Sequence, residues 1–572
     1  MYILGISCYY HDSAAAIIKD GQLIAAADEE RFSRVKHDNS FPKKAIDFCL
    51  KFANISAADI SYVVFYEKPF LKFERTFLNS IEYVPKSWGF FRESMKKWFF
   101  DHLWIKSNII RELKIPPKKL LFCEHHLSHA ASAFFCSPFE KSAIITIDGV
   151  GEWTTLSWGE AAGNRIDLKE EIRFPNSLGL LYSVFTDFVG FEVNEGEYKT
   201  MGLAPYGKPK YVEEIYKLLD ISKDGSFKLD LSYFAYHYSL KQVYTKKFEN
   251  IFGKANTNPK KVTKYYADIA SSIQFVLEEI IIKIANNVYK KTGNQNLSFA
   301  GGVALNSVAN WKILQNTKFK HVYIQPAAGD SGGAIGAALW AYRTVLNKKD
   351  RFVLNHAYWG DYESKEEVKN FLQRENVRYK EVKNKPDLID QTAEKLAQGR
   401  VIGWVQGRFE WGPRALGHRS ILADPRDKKM KGLVNSKIKF REGFRPFAPS
   451  IAIEDCADYF EVGSKKLEYP FKFMLYVVDV KENKRAKLGA VTHEDGTARP
   501  QFVEKKTNPL YHKLIRSFGE KTGTPVLLNT SFNLKGEPIV NTAKEALNTF
   551  YRSGIDSLVV SDFIISKPKG NQ

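Results

Sequence analysis

A two-part α/β architecture is predicted by three features of this 572-residue chain. A strand pattern with an acidic turn occurs twice, two glycine-rich loops each follow an apolar strand and open a helix, and strand and helix patterning starts afresh beyond residue 350. The domains expected are therefore 1–350 and 351–572. The length is too great for one core and corresponds to about three to four domain-sized units.

The first strand is the apolar run from Tyr2 to Ser7, followed by the polar turn His11-Asp12-Ser13. Ala14 to Lys19 is a second strand, Asp20-Gly21 a hairpin turn, and Gln22 to Ala27 a third strand. The same pattern returns from Ala143 to Ile147, with the turn Asp148-Gly-Val-Gly-Glu152, a strand from Trp153 to Trp158, a turn at Ala162-Gly163-Asn164 and a strand from Arg165 to Phe174. Two related halves facing a cleft are expected.

Between the repeats, His125 and His129 lie four apart in a segment rich in Ala, Leu and Phe that ends near Pro138. On a helix both imidazoles point the same way, which is metal-ligand geometry. An isolated pair of this kind is more often two packed helix histidines than a metal site. Asp148, delivered by a strand to a glycine turn, offers a hard oxygen ligand, and Asp330 in the second glycine loop is another candidate. The glycine loops are Ala300-Gly-Gly-Val-Ala-Leu-Asn306 and Gly329-Asp-Ser-Gly-Gly333. Such loops suit close approach of a phosphate to a helix N-terminus, and glycine for tight helix–strand packing explains the same pattern.

Composition narrows the class. With 84 Lys+Arg against 65 Asp+Glu the chain carries +19, which favours anionic partners. Five cysteines without a Cys-x-x-Cys argue against a disulfide framework or zinc ribbon and fit a reducing cytosol. There is no basic leader and no apolar stretch of membrane-spanning length, so a cytoplasmic location is expected. Residues 66–119 combine Trp88, Phe90, Phe91, Trp98, Phe99, Phe100 and Trp104 with an excess of basic side chains. A helical hairpin with core or dimer-packing aromatics is expected ahead of a membrane-surface helix, a partner-binding face or a substrate lid.

Residues 344–364 read as a linker with a docking strand. Beyond it come a helix from Pro386 to Gln398, a strand from Val401 to Val405 and the stretch Gly407-Arg-Phe-Glu-Trp-Gly-Pro-Arg-Ala-Leu-Gly-His-Arg-Ser420. Arg441-Glu-Gly-Phe-Arg-Pro-Phe447 follows. Basic side chains packed among Gly and Pro turns suggest a fixed anion pocket, since guanidinium groups bind phosphate bidentately. A solvated charge run is the other reading. Arg499 and Asn529-Thr-Ser531 would add a donor and hydroxyls to such a pocket.

The ordered stretches His11-Asp-Ser-Ala-Ala-Ala16, Glu29-Glu-Arg-Phe-Ser-Arg-Val-Lys-His-Asp38, His125-His-Leu-Ser-His129, Asp148-Gly-Val-Gly-Glu152, Gly196-Glu-Tyr-Lys-Thr-Met-Gly-Leu-Ala-Pro-Tyr-Gly207 and Ala300–Asn306 resemble the amino-terminal domain of NodU/CmcH-type O-carbamoyltransferases. That domain is actin-like, a duplicated RNase H-like fold of the ASKHA superfamily, and is similar to the tRNA threonylcarbamoyladenosine-modifying enzyme. The stretches 407–420, 441–449 and 528–539 resemble the same family's carboxy-terminal YrdC-like α/β domain.

The resemblance implies that His125, His129, Asp148 and Asp330 hold a divalent metal, iron first with zinc or manganese as alternatives. It implies that Lys199, Gly301, Gly302 and Asn306 line an ATP site, with Mg2+ as a companion of the nucleotide. His11 and Lys36 would face the acceptor and an adenylate, His11 as a base because imidazole titrates near neutrality. Arg414, Lys439, Arg445, Arg499 and Ser531 would bind carbamoyl phosphate. Carbamate released there would pass inside the protein to ATP, giving carbamoyl-adenylate and then an O-carbamoylated small molecule, such as a sugar or other natural product. A homodimer is compatible with this reading, and neither nucleic acid nor membrane is an expected partner. Two other functions are compatible with parts of the sequence: a tRNA-binding threonylcarbamoyl-type modification protein, and an actin-like ATP-binding protein without transfer activity.

Overall fold

A computed structural model describes residues 1–100 and 102–567 of the chain. They form two compact units, Met1–Ala26 with Asn39–Val353, and Ala27–Asp38 with Leu354–Gln572. The division is not the single cut expected at residue 350. A short early segment is spent in the second unit, because its side chains hydrogen-bond there.

In the first unit, β1 (Tyr2–Ser7), β2 (Ala14–Lys19) and β3 (Gln22–Asp28) follow the expected meander. Asp20 and Gly21 both take positive φ, 48° and 79°, the conformation a two-residue hairpin needs. β4 (Ile60–Phe65) and β5 (Leu120–Phe122) add in parallel beyond β1, giving the order β3-β2-β1-β4-β5. Since β1 is flanked on both sides and covered, it reads as an unbroken apolar run.

The second half repeats this order. β6 (Lys141–Ile147), β7 (Thr154–Ala162) and β8 (Arg165–Arg173) form an antiparallel meander. A small hairpin, β9 (Leu219–Ile221) with β10 (Phe227–Leu229), stands apart. β11 (Asn296–Ala300) and β12 (His321–Tyr323) then add in parallel beyond β6, so the order β8-β7-β6-β11-β12 matches the first sheet position for position. This is the duplicated RNase H-like, actin-like arrangement that was expected.

Each half's fifth strand is followed by a helix, His125–Phe134 after β5 and Asp330–Trp340 after β12. The two helices pack against each other. A Cβ on Gly336 would lie 1.9 Å from the Ser128 carbonyl oxygen, so only glycine permits the approach. This crossing fixes where Asp330 stands relative to the histidines.

The aromatic segment forms the helices Pro69–Glu82, Trp88–Phe100 and Ile105–Leu113. Phe73 packs edge-on to Trp98 at 5.3 Å and Phe77 against Phe91 at 6.1 Å, the core expected of a hairpin. Trp88, Phe99, Phe100 and Trp104, also expected in that core, are exposed instead.

The second unit is α/β, as expected. Its strands are β13 (Lys380–Glu381), β14 (Ile402–Val405), β15 (Arg419–Ala423), β16 (Ala448–Ala452), β17 (Val478–Asp479), β18 (Thr497–Ala498), β19 (Gln501–Val503), β20 (Val526–Ser531), β21 (Ser557–Val560) and β22 (Phe563–Ser566). Eight of them form one mixed sheet, β13-β22-β21-β14-β15-β20-β16-β19. The helices Lys385–Ala397 and Pro509–Thr522 pack together on it, burying Trp404, Leu514, Phe518 and Leu527. No docking strand forms in 344–364. Residues 357–361 instead make isolated backbone hydrogen bonds with Phe409 and Trp411, too few for a ladder.

Candidate active site

The first unit gathers the four expected metal ligands. His125 and His129 share one helix face, their Nε2 atoms 3.0 Å apart. Asp148 Oδ2 lies 3.0 Å from the first and 3.1 Å from the second, and Asp330 Oδ1 stands 3.7 and 3.8 Å from them. All four residues are buried, and their ligand atoms lie within 4.8 Å of one another. Bonds of about 2.0–2.2 Å to a shared cation require donors at such separations. Asp330 Oδ2 is buried without a hydrogen-bond partner, as are Nδ1 of His125 and of His129. Converging imidazole and carboxylate lone pairs could hold a divalent cation, and a donor set of two nitrogens and two oxygens is of the kind that iron, zinc or manganese takes.

Asp148 is fixed by its other oxygen. Oδ1 accepts the N–H groups of Gly149 at 2.9 Å and Gly302 at 3.1 Å. A Cβ on Gly302 would sit 2.8 Å from that oxygen, and Gly301 has φ 97°. The glycine pair therefore has a packing role at Asp148, one of the two readings its sequence allowed. Asn306 caps the helix Ser307–Asn316 through Ala309 N and exchanges two amide hydrogen bonds with Gln274, at 3.0 and 3.1 Å. Lys199 lies half-buried on the helix Glu197–Leu203.

His11 Nδ1 is 2.8 Å from Asp12 Oδ2. Burial disfavours the imidazolium, but the Asp12 hydrogen bond and the charges of Asp12, Asp330 and Glu197 outweigh it and lift His11 to about 9. It therefore titrates above the neutral range anticipated from sequence. Sequence reading missed Asp12 as its partner, although adjacency marked it.

Two other groups were missed. Glu152 accepts the backbone N–H of His125, at 2.9 and 3.1 Å, and that of Lys68 at 2.8 Å. His126 packs inward with Nδ1 2.7 Å from Thr146 Oγ1, and burial holds its pKa well below the ordinary imidazole value.

In the second unit Lys439 is buried, and its Nζ donates to Ser531 O at 2.9 Å, Ser531 Oγ at 3.2 Å and Asn533 O at 2.8 Å. Burial first, then Arg441 and Arg445, push its pKa well below the usual amine value. Arg499 is likewise depressed by burial and by Arg414, Arg441 and Arg445. The five expected anion-binding residues thus fall in one electrostatic neighbourhood, joined by Arg441 and Asn533, which sequence reading left out. Both lay in quoted motifs, Arg441 four residues before Arg445 and Asn533 two after Ser531. Mutual repulsion among guanidinium groups in a low-dielectric setting is relieved by a bound dianion.

Not every basic residue of the dense run belongs there. Arg419 is buried and donates to the carbonyls of Gln406, Gly407, His418 and Asn541, a purely structural set. Lys36 lies in the 27–38 segment of the second unit, 3.3 Å from Glu30 Oε2.

Residues 2–339 match the family model "Carbamoyltransferase N-terminus" and residues 393–567 match "Carbamoyltransferase C-terminus". An uncharacterized Synechocystis protein is 46% identical, covering 99% of this chain and 97% of its own. Nodulation protein NolNO of Sinorhizobium fredii is 39% identical over 98% of this chain and 79% of its own. The 3'-hydroxymethylcephem-O-carbamoyltransferase of Amycolatopsis lactamdurans is 36% identical over 48% of this chain and 49% of its own. With both family models matched in order and these relatives beside them, the chain belongs to the carbamoyltransferase family and is an O-carbamoyltransferase of the NodU/CmcH type.

Proposed function

We propose that the protein uses ATP to convert carbamoyl phosphate to carbamoyl-adenylate and transfers the carbamoyl group to a hydroxyl of a small-molecule acceptor. The observation that carries this reading is the gathering of Lys439 with Arg414, Arg441, Arg445 and Arg499, an arrangement suited to a compact dianion. The Amycolatopsis relative is named for a hydroxymethyl acceptor, which supports a hydroxyl as the group modified. An ATP-binding protein without transfer activity is incompatible with the family assignment.

The basic cluster would offset the phosphate charge while water cleaves carbamoyl phosphate to carbamate and inorganic phosphate. The carbamate oxygen then attacks the α-phosphorus of ATP, and pyrophosphate leaves. The acceptor oxygen attacks the carbamoyl carbon, its proton passes to His11, and AMP is released. Because free carbamate decomposes in water, the protein must shield it between steps. Gly301, Gly302, Asn306 and Lys199 are proposed around the nucleotide, and Lys36 as a cation for the adenylate phosphate. A divalent cation held by His125, His129, Asp148 and Asp330, with iron as the first candidate, would supply neutralisation of phosphate charge.

His11 can accept a proton only in its neutral form. Asp12 holds it through Nδ1 and stabilises the imidazolium that results.

Chromatography of the nucleotide products tests the reading. AMP should appear only when carbamoyl phosphate, ATP and a divalent metal are supplied together. Release of ADP, or AMP formation indifferent to carbamoyl phosphate, would refute it.

A further inference from the structure

The stretch Glu29-Glu-Arg-Phe-Ser-Arg34 has no part in the chemistry above, yet two of its side chains reach the loops of the basic cluster. Although it occurs early in the chain, it belongs to the compact unit formed with Leu354–Gln572. Arg31 is only 1% exposed. Its Nη2 donates to the carbonyls of Glu410 at 3.1 Å and Gly412 at 3.3 Å, just ahead of Arg414 in sequence. The guanidinium also lies over the Phe409 ring, 5.1 Å from its centroid.

Glu410 binds the same loop from within. Its side chain is fully buried, and Oε1 accepts the N–H groups of Leu416 at 2.7 Å, His418 at 2.8 Å and Arg419 at 3.1 Å. Three residues C-terminal to Arg414 are thereby tied to the carboxylate of Glu410, which precedes it, while Arg31 holds the Glu410 and Gly412 carbonyls on the N-terminal side. Burying a cation and a carboxylate is costly where their polar atoms go unpaired, and Arg31 Nη1 and Glu410 Oε2 are buried without a hydrogen-bond partner, so this loop is held at a cost that mere chain connection does not require.

Arg34 makes a parallel set of bonds. It donates to Ile539 O at 2.7 Å and Pro538 O at 2.8 Å and pairs with Glu545 at 3.2 Å. Asn533, which accepts from Lys439, donates in turn to Glu537 O at 2.6 Å, next to the segment that Arg34 holds. Two of the segments that bring groups to the cluster, the one ahead of Arg414 and the one after Asn533, are thus tied to residues 31–34.

We propose that Arg31, acting with Glu410, is a positioning residue for carbamoyl-phosphate binding: together they fix the Phe409–Arg419 loop so that Arg414 is presented to the phosphate. The proposal rests on the reading above that Arg414 binds carbamoyl phosphate. Losing a charge-assisted hydrogen bond to a misplaced Arg414 costs on the order of 10- to 100-fold in affinity.

The test uses the full-length protein and two conservative variants, with calorimetric affinities for carbamoyl phosphate and for ATP measured separately. Arg31→Lys keeps the charge but loses the planar fork, and Glu410→Gln keeps the shape but loses the charge that strengthens three N–H bonds. Each should weaken carbamoyl-phosphate binding by about 10- to 100-fold and leave ATP affinity unchanged. Unchanged carbamoyl-phosphate affinity in both would overturn the proposal. So would parallel loss of both affinities with a lowered melting temperature, since that is the result of a merely structural role. Wild-type protein that transfers the carbamoyl group yet fails to bind carbamoyl phosphate would instead overturn the underlying reading, and the proposal with it.

Discussion

The Glu152 carboxylate accepts the backbone N–H of His125 with both oxygens, at 2.9 and 3.1 Å, at the first residue of a helix whose N-cap position supplies no side-chain bond. A carboxylate at a helix N-terminus satisfies an otherwise orphaned donor and interacts favourably with the helix dipole. Here it also fixes the residue that carries a metal ligand.

Glu152→Ala is therefore expected to cost about 1.5–3 kcal/mol, the range for hydrogen bonds to a charged group. It should also lower retained divalent metal by roughly 10-fold. Urea unfolding and metal content after dialysis measure the two effects. Full metal retention would show that Glu152 acts on stability alone.

Gly336→Ala should be destabilising by about 1–3 kcal/mol, because the added Cβ meets the Ser128 carbonyl at 1.9 Å and the helices must separate. Moving Asp330 away from His125 and His129 should weaken metal binding at the same time. Thermal unfolding with metal titration checks both.

The pH dependence follows from the His11–Asp12 pair. With its pKa raised to about 9, His11 is protonated at neutral pH, so a rate that needs it as a base should climb as pH rises toward 9. Asp12→Asn removes the charge that lifts His11 and should move that limb toward the ordinary imidazole value of 6.5. Stability has the matching sign. The pair's contribution is complete below about 6.5 and is lost as pH rises through about 9. A pH–rate profile that Asp12→Asn does not shift would remove His11 from the base role.

Arg414→Ala should abolish carbamoyl-phosphate-dependent AMP formation while leaving ATP binding intact. Single-turnover product analysis beside nucleotide titration separates the two. Wild-type rates in the variant would show that the basic cluster binds some other anion.

The strands of the first unit were legible because each is a short apolar run punctuated by a turn residue, as Asp20-Gly21 is between β2 and β3. The metal ligands were legible only as fragments. Spacing brings His125 and His129 onto one face, but only the packing of Gly336 against Ser128 places Asp330 beside them, and no local pattern encodes that contact. The placement of 27–38 in the second unit was hidden for the same reason, since Arg31 finds its carbonyls nearly 380 positions away in sequence. Basic density around 407–445 mixed two roles that composition cannot separate, Arg419 on backbone carbonyls and Arg414 near Arg499. Reading 66–119 as a helical hairpin placed Trp98 and Trp88 alike in its core, and only Trp98 is buried, because basic and aromatic density does not tell which face of a helix is covered.

Exchange of radiolabelled pyrophosphate into ATP, followed in the absence of any acceptor, tests the central claim most directly. Reversible carbamoyl-adenylate formation predicts exchange that requires both carbamoyl phosphate and the divalent metal. Exchange without carbamoyl phosphate, or carbamoyl transfer by a protein that catalyses no exchange when carbamoyl phosphate is present, would contradict it.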